Sequence, residues 1–339
     1  MSIFNFNSKD LGIDLGTANI LITLKSKGIV LREPSVVAID ETNREILATG
    51  KEAKDMLGKT PEKIKAIRPM KNGAISDFTA TSLMIKNMMR KILQEYNIGK
   101  PRVVVGIPSG LSDVEKRAVE EAMFQCGAKE VYLIDEPMAS AIGAGLNVLE
   151  PNGKMIVDIG GGTTEVAVIS LGGIVTSTSI KVAGNTIDEA IAAYLKRNNN
   201  IAIGLATAEK LKIELGNAEE PVTEEIKEIR GRDLNTGLPK NVKITSKQIH
   251  KAMQKPIGEI VEAISKTFYY TKPELISDIM ENGIYLSGGS SLIKSLDNLI
   301  SQKLGIQTFI ADSPLDCVAI GTGKIIEDPE KYRRVLKRK

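Results

Sequence analysis

Tryptophan is absent from the 339 residues, and all aromatic residues together make up only 4%. The core must therefore be aliphatic. Stacking of nucleic-acid bases on aromatic platforms is an improbable activity for such a chain, so nucleic acid is not expected as a partner. Cysteine occurs twice, at Cys126 and Cys317, and histidine once, at His250. Two thiols make neither a disulfide framework nor a zinc site, and one imidazole leaves little room for His-dependent catalysis or metal binding. All three are expected to pack. No apolar run reaches the roughly 18 residues that a membrane span needs. The first ten residues, MSIFNFNSKD, lack the basic and then apolar regions of a secretory signal. A soluble, cytoplasmic protein is expected. One-signed charge is scarce as well: 45 Lys and Arg stand against 42 Asp and Glu, a net charge of +3. The excess sits at the end, where Lys331, Arg333, Arg334, Lys337, Arg338 and Lys339 occur without an acid. The body is mildly acidic, and a general polyanion binder is excluded.

Hydrophobic residues at 42% and charged residues at 26% fit a globular chain long enough for two domains or lobes. Residues 11–24 read as two short strands around a Gly-Thr turn, with further strands at 29–39 and 46–49. Residues 79–96 have helical spacing. A buried strand is expected at 103–108. Ser112 and Glu115 form a capping box that opens a helix with an apolar face of Val114, Ala118, Val119, Ala122 and Met123, ended by Gly127. A strand at 131–134 leads to a helix with Pro137 in its first turn. The second half repeats strand, Gly-Thr turn and strand at 155–175. Helices follow at 186–197 and 205–215, then a polar insertion at 217–245, and helices at 246–268 and 273–281. Strand, Gly-rich turn and helix span 284–300, before a strand at 306–310 and a helix near 316–326. Strands alternating with helices imply an α/β architecture.

An internal repeat organises the chain. Ile13-Asp14-Leu15-Gly16 returns as Val157-Asp158-Ile159-Gly160, and Thr follows at 17 and at 163. From Asp14 to Asp158 is 144 residues, nearly half the chain. A duplicated domain is expected, with the two turns facing each other across a cleft. Each turn should expose consecutive backbone N–H groups to an anion. Each Asp supplies a hard oxygen for a water-coordinated Mg²⁺. One such turn is a weak signal, because a structural hairpin looks the same. Two copies and a third Gly-rich turn, Gly288-Gly289-Ser290-Ser291, make a polyphosphate site the stronger assignment. No G-x-x-x-x-G-K-[ST] and no strand-linked G-x-G-x-x-G is present. Gly321-Thr322-Gly323-Lys324 lacks the leading glycine and is read as packing at a helix start. Glu136 lies between a strand and the Pro137 helix, where the helix N-terminus keeps a carboxylate ionised. From position alone it is a cap; beside a phosphate site it is a group that orients water for attack on a γ-phosphate.

These turns resemble those of the actin, Hsp70 and sugar-kinase ATPase superfamily. Within it, the chain resembles the MreB family of bacterial actins. The resemblance rests on GIDLGTAN (12–19), VLREPSVVAID (30–40), IRPMKNGAISDF (67–78), VVVGIPSGLSDVEKRAV (103–119), VYLIDEPMASAIGAGL (131–146), DIGGGTTEVAVISLGGIV (158–175), GRDLNTGLPK (231–240) and LSGGSSLIKSLDNLI (286–300). It runs from about residue 11 to 326. Asp135 stands where the family commonly has Glu, Ser140 where it has Ala, and the third turn reads GGSS.

The resemblance implies an actin-like fold of duplicated ribonuclease-H-like domains, with four subdomains around a nucleotide cleft. Its bounds would be 1–32, 68–142 and 312–329 for subdomain IA, 33–67 for IB, 143–181 and 246–311 for IIA, and 182–245 for IIB, with a basic tail at 330–339. It implies ATP and Mg²⁺ as cofactors. Gly16, Thr17, Ala18 and Asn19 would form the first phosphate turn, and Gly160, Gly161, Gly162 and Thr163 the second. Asp14 and Asp158 would hold Mg²⁺ through water. Glu209, Lys210, Leu211 and Lys212 would border the adenosine, with Glu209 and Lys212 on one helix face. Gly288, Gly289, Ser290 and Ser291 would close on the nucleotide. Glu136 and Thr163 would position the attacking water. The function implied is an ATP-dependent, filament-forming protein of the cell-shape cytoskeleton with slow ATP hydrolysis. Its expected partners are further copies of itself, an anionic membrane surface at the inner face of the cell membrane, and membrane-bound shape or cell-wall machinery. The bases Lys331, Arg333, Arg334, Lys337, Arg338 and Lys339, interspersed with Tyr332, Val335 and Leu336, are the stronger membrane candidate. Ile3, Phe4 and Phe6 are the weaker one. The alternative is a small-molecule kinase of the same superfamily.

Overall fold

The computed structural model describes residues 9–71 and 73–336. In chain order the elements are β1 (Leu11–Leu15), β2 (Asn19–Leu24), β3 (Gly28–Pro34), β4 (Val37–Asp40), β5 (Ile46–Thr49), α1 (Lys51–Met56), β6 (Ile64–Ile67), β7 (Met70–Lys71), β8 (Ala74–Ile75), α2 (Phe78–Glu95), β9 (Arg102–Ile107), α3 (Asp113–Gln125), β10 (Glu130–Asp135) and α4 (Glu136–Gly143). The second half holds β11 (Lys154–Ile159), β12 (Thr164–Ser170), β13 (Gly173–Ile180), α5 (Gly184–Asn198), β14 (Ile201–Ala202), α6 (Leu205–Leu215), β15 (Ile226–Asp233), β16 (Pro239–Thr245), α7 (Ser246–Tyr269), α8 (Pro273–Asn282), β17 (Ile284–Ser287), α9 (Leu296–Leu304), β18 (Thr308–Ile310) and α10 (Cys317–Glu327). A single 3-10 turn, Gly289–Leu292, follows β17.

The chain forms two compact units. The first takes the chain up to Asn152, with Ile169–Ser177 and Leu315 onward; the second takes Gly153–Val168 and Thr178–Pro314.

The first unit is built on a five-stranded sheet ordered β10-β9-β1-β2-β3. Strands β1, β9 and β10 are parallel, whereas β1, β2 and β3 are antiparallel neighbours. Helix α2 buries Met84, Ile85, Met88, Met89 and Ile92 in the aliphatic core under this sheet. Helix α3 has the expected capping box, with Ser112 Oγ accepting from Glu115 N and Glu115 Oε2 accepting from Ser112 N. Its apolar face is narrower than expected. Val119, Ala122 and Met123 are buried, but Val114, in the first turn of α3, is 77% exposed. Helices α4 and α10 touch backbone to backbone: a Cβ on Gly321 would lie 1.9 Å from Ala139 O, and one on Gly143 1.9 Å from Cys317 O. The Gly321–Lys324 fragment is thus packing within α10, one turn inside the helix and not at its start. Lys324 Nζ donates to Ile142 O (2.9 Å) and Gly143 O (3.3 Å), closing the C-terminal carbonyls of α4.

The second unit repeats the sheet in the same order, β18-β17-β11-β12-β13. Here β11 is parallel to β17, and β17 to β18. The duplication read from the two Asp-Gly turns is therefore a duplication of topology. The polar insertion is an antiparallel hairpin, β15 with β16, on which β14 adds a third strand. Helix α7 carries a second capping box, Thr245 with Gln248, and buries Ile249, Met253, Ile257, Ile260 and Ile264. Cys126 and Cys317 are buried and form no disulfide. Burial pushes the Cys126 thiol up to about 11, so it is a packing group and not a nucleophile. His250 is 8% exposed, with Nδ1 3.0 Å from Asn217 O and Nε2 3.2 Å from Gln254 Nε2.

Candidate nucleotide site

In the first unit, β1 carries Asp14 to the C-terminal end of the parallel strands. Asp14 pairs in register with Gly106 of β9, and Gly106 with Ile134 of β10. The C-terminal ends of parallel strands are where α/β sheets bind ligands. Asp14 is 9% exposed. The chain then turns through Gly16, Thr17 and Ala18 before Asn19 opens β2. A Cβ on Gly16 would stand 2.6 Å from Asn19 O, so the turn closes only on glycine. Ser35 ties the turn from behind: its Oγ donates to Gly16 O (2.6 Å) and its N–H to Ala18 O (3.0 Å). Among the described residues no backbone acceptor takes the N–H groups of Thr17 and Ala18. The turn thus has its carbonyls engaged and its amides left as donors, which is the arrangement of an anion nest. Thr17 Oγ1 accepts from Gly73 N at 3.1 Å, bringing the β7–β8 turn against it.

Glu136 is the first residue of α4, two positions past Ile134, with Pro137 behind it. The helix N-terminus favours its ionised carboxylate. Its Cγ lies 3.7 Å from the place a Cβ on Gly106 would take, which sets Glu136 beside the end of β9, next to the strand that carries Asp14.

The second unit repeats the device with different ties. Asp158, 8% exposed, pairs in register with Ser287 of β17. Gly160 N donates to Thr163 O (3.0 Å), closing the turn. The first amides of α5 hold its carbonyls: Gly184 N donates to Gly160 O (3.1 Å) and Asn185 N to Gly161 O (2.8 Å). Helix α5 has no side-chain cap, and these carbonyls satisfy its otherwise orphaned N–H groups. Again no backbone acceptor takes the amides of Gly161 and Gly162 among the described residues. Ser290 Oγ adds a third donor to the set, at 3.0 Å from Gly160 O. The third turn reaches this place through Gly288, whose φ is +79°.

Within Glu209–Lys212 of α6 the side chains diverge. Leu211 is buried in the aliphatic core, Lys210 is exposed, and Glu209 is half-buried. Lys212 forms an ion pair with Asp188 of α5 at 2.8 Å and donates to Gly184 O at 3.0 Å. Sequence reasoning missed Ser35, Gly184 and Asp188. Each reaches its turn from another element, so local spacing carries no signal of it.

The basic tail is placed as far as Leu336. Lys331, Arg333 and Arg334 are exposed. Val335 and Leu336 are not an apolar surface, being only 7% and 9% exposed. Val335 packs at the Gly172 turn beside Leu149, so these side chains are already covered by protein. Lys337, Arg338 and Lys339, like Ile3, Phe4 and Phe6, lie outside the described residues. Among the described residues no helix is long and apolar enough to cross a membrane.

The family described as MreB/Mbl protein matches residues 8–334. The cell shape-determining protein Mbl of Bacillus subtilis (strain 168) is 45% identical over 324 residues, covering 96% of this chain and 97% of its own. The cell shape-determining protein MreB of Escherichia coli (strain K12) is 48% identical over 325 residues, with 94% of each covered. The crystal structure of MreB5 of Spiroplasma citri bound to ADP superposes with a TM-score of 0.90 at 38% identity, over 95% of this chain and 97% of that one. The duplicated sheets, the paired Asp-Gly turns and these matches agree: the chain is actin-like in fold and belongs to the MreB/Mbl family.

Proposed function

We propose that this chain is a cytoskeletal actin of the cell-shape system that binds ATP, hydrolyses it slowly and assembles into filaments on an anionic membrane surface. The observation that carries the reading is the state of the two turns: their carbonyls are tied back by Ser35 in one unit and by Gly184 and Asn185 in the other, leaving the Thr17, Ala18, Gly161 and Gly162 amides for phosphate oxygens. The ADP in the Spiroplasma citri relative and the cell-shape names of the bacterial relatives support it. Gly16 and Asn19 complete the first phosphate turn, Gly160 and Thr163 the second. The α6 segment Glu209–Lys212, with Leu211 turned into the core, borders the adenosine, and Gly288–Ser291 close on it.

Asp14 in the first unit and Asp158 in the second each set a buried, hard carboxylate at the start of its turn, and each would hold Mg²⁺ through water, as fits an ion that dehydrates reluctantly. Bound there, the ion would neutralise phosphate charge. Glu136 accepts a hydrogen bond from the attacking water, Thr163 orients it, and the helix end keeps Glu136 ionised for that task. Filament contacts would be made with further copies of this chain, while Lys331, Arg333 and Arg334, with Lys337, Arg338 and Lys339, would meet anionic headgroups. Membrane-bound shape or cell-wall machinery would be the other partner.

The test is sedimentation of the purified chain with and without ATP and Mg²⁺, beside direct titration with a fluorescent ATP analogue. Nucleotide-dependent pelleting is expected. A protein that binds ATP, stays in the supernatant at every concentration and phosphorylates a small acceptor would replace this reading with the kinase one.

A further inference from the structure

Five groups meet at one corner of the second unit. Lys212 of α6 and Asp188 of α5 are 11% and 8% exposed at their side chains and lie 2.8 Å apart. This is a close charge contact, without hydrogen-bond alignment at Asp188 Oδ1. The ammonium's directed bond goes to Gly184 O at 3.0 Å. Gly184 N in turn donates to Gly160 O, on which Ser290 Oγ also closes. Space here is fully used: a Cβ on Gly184 would fall 2.7 Å from Ser290 Oγ and 3.3 Å from Lys212 Nζ.

We infer that Asp188 is a positioning residue of the nucleotide site, acting through Lys212; the inference rests on the nucleotide-binding reading above. An ammonium has three donors and prefers water. On a flexible four-carbon stem, Lys212 stays in this corner because the Asp188 carboxylate compensates its charge. Held there, it fixes Gly184 O. Gly184 O shares its peptide plane with Asn185 N, which donates to Gly161 O, and the adjoining Gly184 N donates to Gly160 O; fixing this plane keeps both carbonyls turned toward α5 and leaves the Gly161 and Gly162 amides as the turn's donors. Without Asp188 the ammonium leaves for solvent, the first turn of α5 loses a tie, and the second phosphate turn is free to rotate its carbonyls toward the phosphates.

The sign of the effect separates this role from its competitors. A carboxylate near a triphosphate repels it, so as a simple electrostatic neighbour its removal tightens ATP binding. As a merely structural pair, its loss lowers thermal stability and leaves affinity intact well below the melting transition. As a positioning residue, its loss weakens ATP binding although a negative charge has been removed. The experiment titrates a fluorescent ATP analogue into the full chain, its Asp188→Asn variant and the exchanged double variant Asp188→Lys, Lys212→Asp, with melting temperatures measured alongside. Asp188→Asn is expected to weaken binding about tenfold, the scale of a coupling of about 1.4 kcal/mol carried through an intermediate group. The exchanged pair is expected to recover melting temperature relative to Asp188→Asn but not affinity, since the ammonium then stands on the wrong helix. Should the exchanged pair not fold, Lys212→Arg, which keeps the charge but moves its donors, is expected to weaken binding while the protein remains folded. Parent-like or tighter binding by Asp188→Asn overturns the inference, as does parent-like affinity in the exchanged or Lys212→Arg variant. Failure of the parent itself to bind the analogue would instead overturn the nucleotide-binding reading.

Discussion

A Cβ on Gly288 would stand 2.6 Å from Asp158 Oδ1 and 2.3 Å from Ile159 O. The third Gly-rich turn is therefore pressed against the aspartate that opens the second phosphate turn, and φ at Gly288 is +79°. Both the contact with fixed backbone and the left-handed conformation demand glycine. Gly288→Ala is expected to shift Asp158 and the turn together. The result should be a loss of ATP affinity of tenfold or more and a lower unfolding midpoint, roughly 1–3 kcal/mol for strain of this kind. Isothermal titration and urea unfolding check both; parent-like values in the variant would show that the backbone yields at no cost.

Glu136 is tested by separating binding from turnover. Its side chain stands in the first turn of α4, on an element separate from the two phosphate turns. Glu136→Ala is expected to keep ATP affinity within about threefold, while phosphate release falls roughly a hundredfold, the lower end of what a positioned base contributes. Parent-like release would reduce Glu136 to a helix cap.

The hairpin tip after β15 has its own pH signature. Asp233 is held by Lys240 Nζ at 2.9 Å and by the backbone N–H groups of Asn235 and Thr236 at 2.8 and 3.2 Å. Its carboxyl is lowered to about 2, first by the Lys240 bond and then by these amides. A depressed carboxylate stabilises the folded tip above its ordinary value, about 3.9, and that contribution fades as pH falls toward the folded value. Carbon NMR of the Asp233 carboxyl should show no titration on acidification to about pH 3.5, below the ordinary midpoint. Titration near 3.9 would mean that the Lys240 and amide bonds do not persist in solution.

Removal of the tail would be a poor test of membrane contact, because Val335 is packed at the Gly172 turn. Charge removal avoids this. The triple variant Lys331→Gln, Arg333→Gln, Arg334→Gln keeps Val335 and Leu336 in place and takes away three exposed bases. At about 1 kcal/mol per base near an anionic surface, an upper limit before screening, vesicle binding should drop most at low salt and most for polymer. Liposome co-sedimentation at two salt concentrations decides; undiminished binding places the membrane contact elsewhere.

The amino-acid sequence by itself determined the repeat, the glycine turns and the run of strands and helices. These follow from local chemistry. Aspartate, glycine and threonine at strand ends specify a turn, and Ser112 with Glu115 or Pro137 specify helix starts, whatever surrounds them. Helix faces were legible where burial follows periodicity, as for Met84, Met88 and Ile92 of α2. Periodicity failed at Val114, because helical spacing marks a face without marking how much of that face the rest of the fold covers. The reading of the tail as a surface segment failed at Val335, whose partner at the Gly172 turn is more than 160 residues away along the chain. Only the tertiary structure decided what makes the turns receptive to an anion. A Gly-Thr turn can point amides or carbonyls at a ligand, and the choice lies with groups that hold its carbonyls: Ser35 for the first, and Gly184, Asn185 and Ser290 for the second. Those groups arrive from separate elements, and a hydrogen bond between distant residues leaves no mark on the spacing of either.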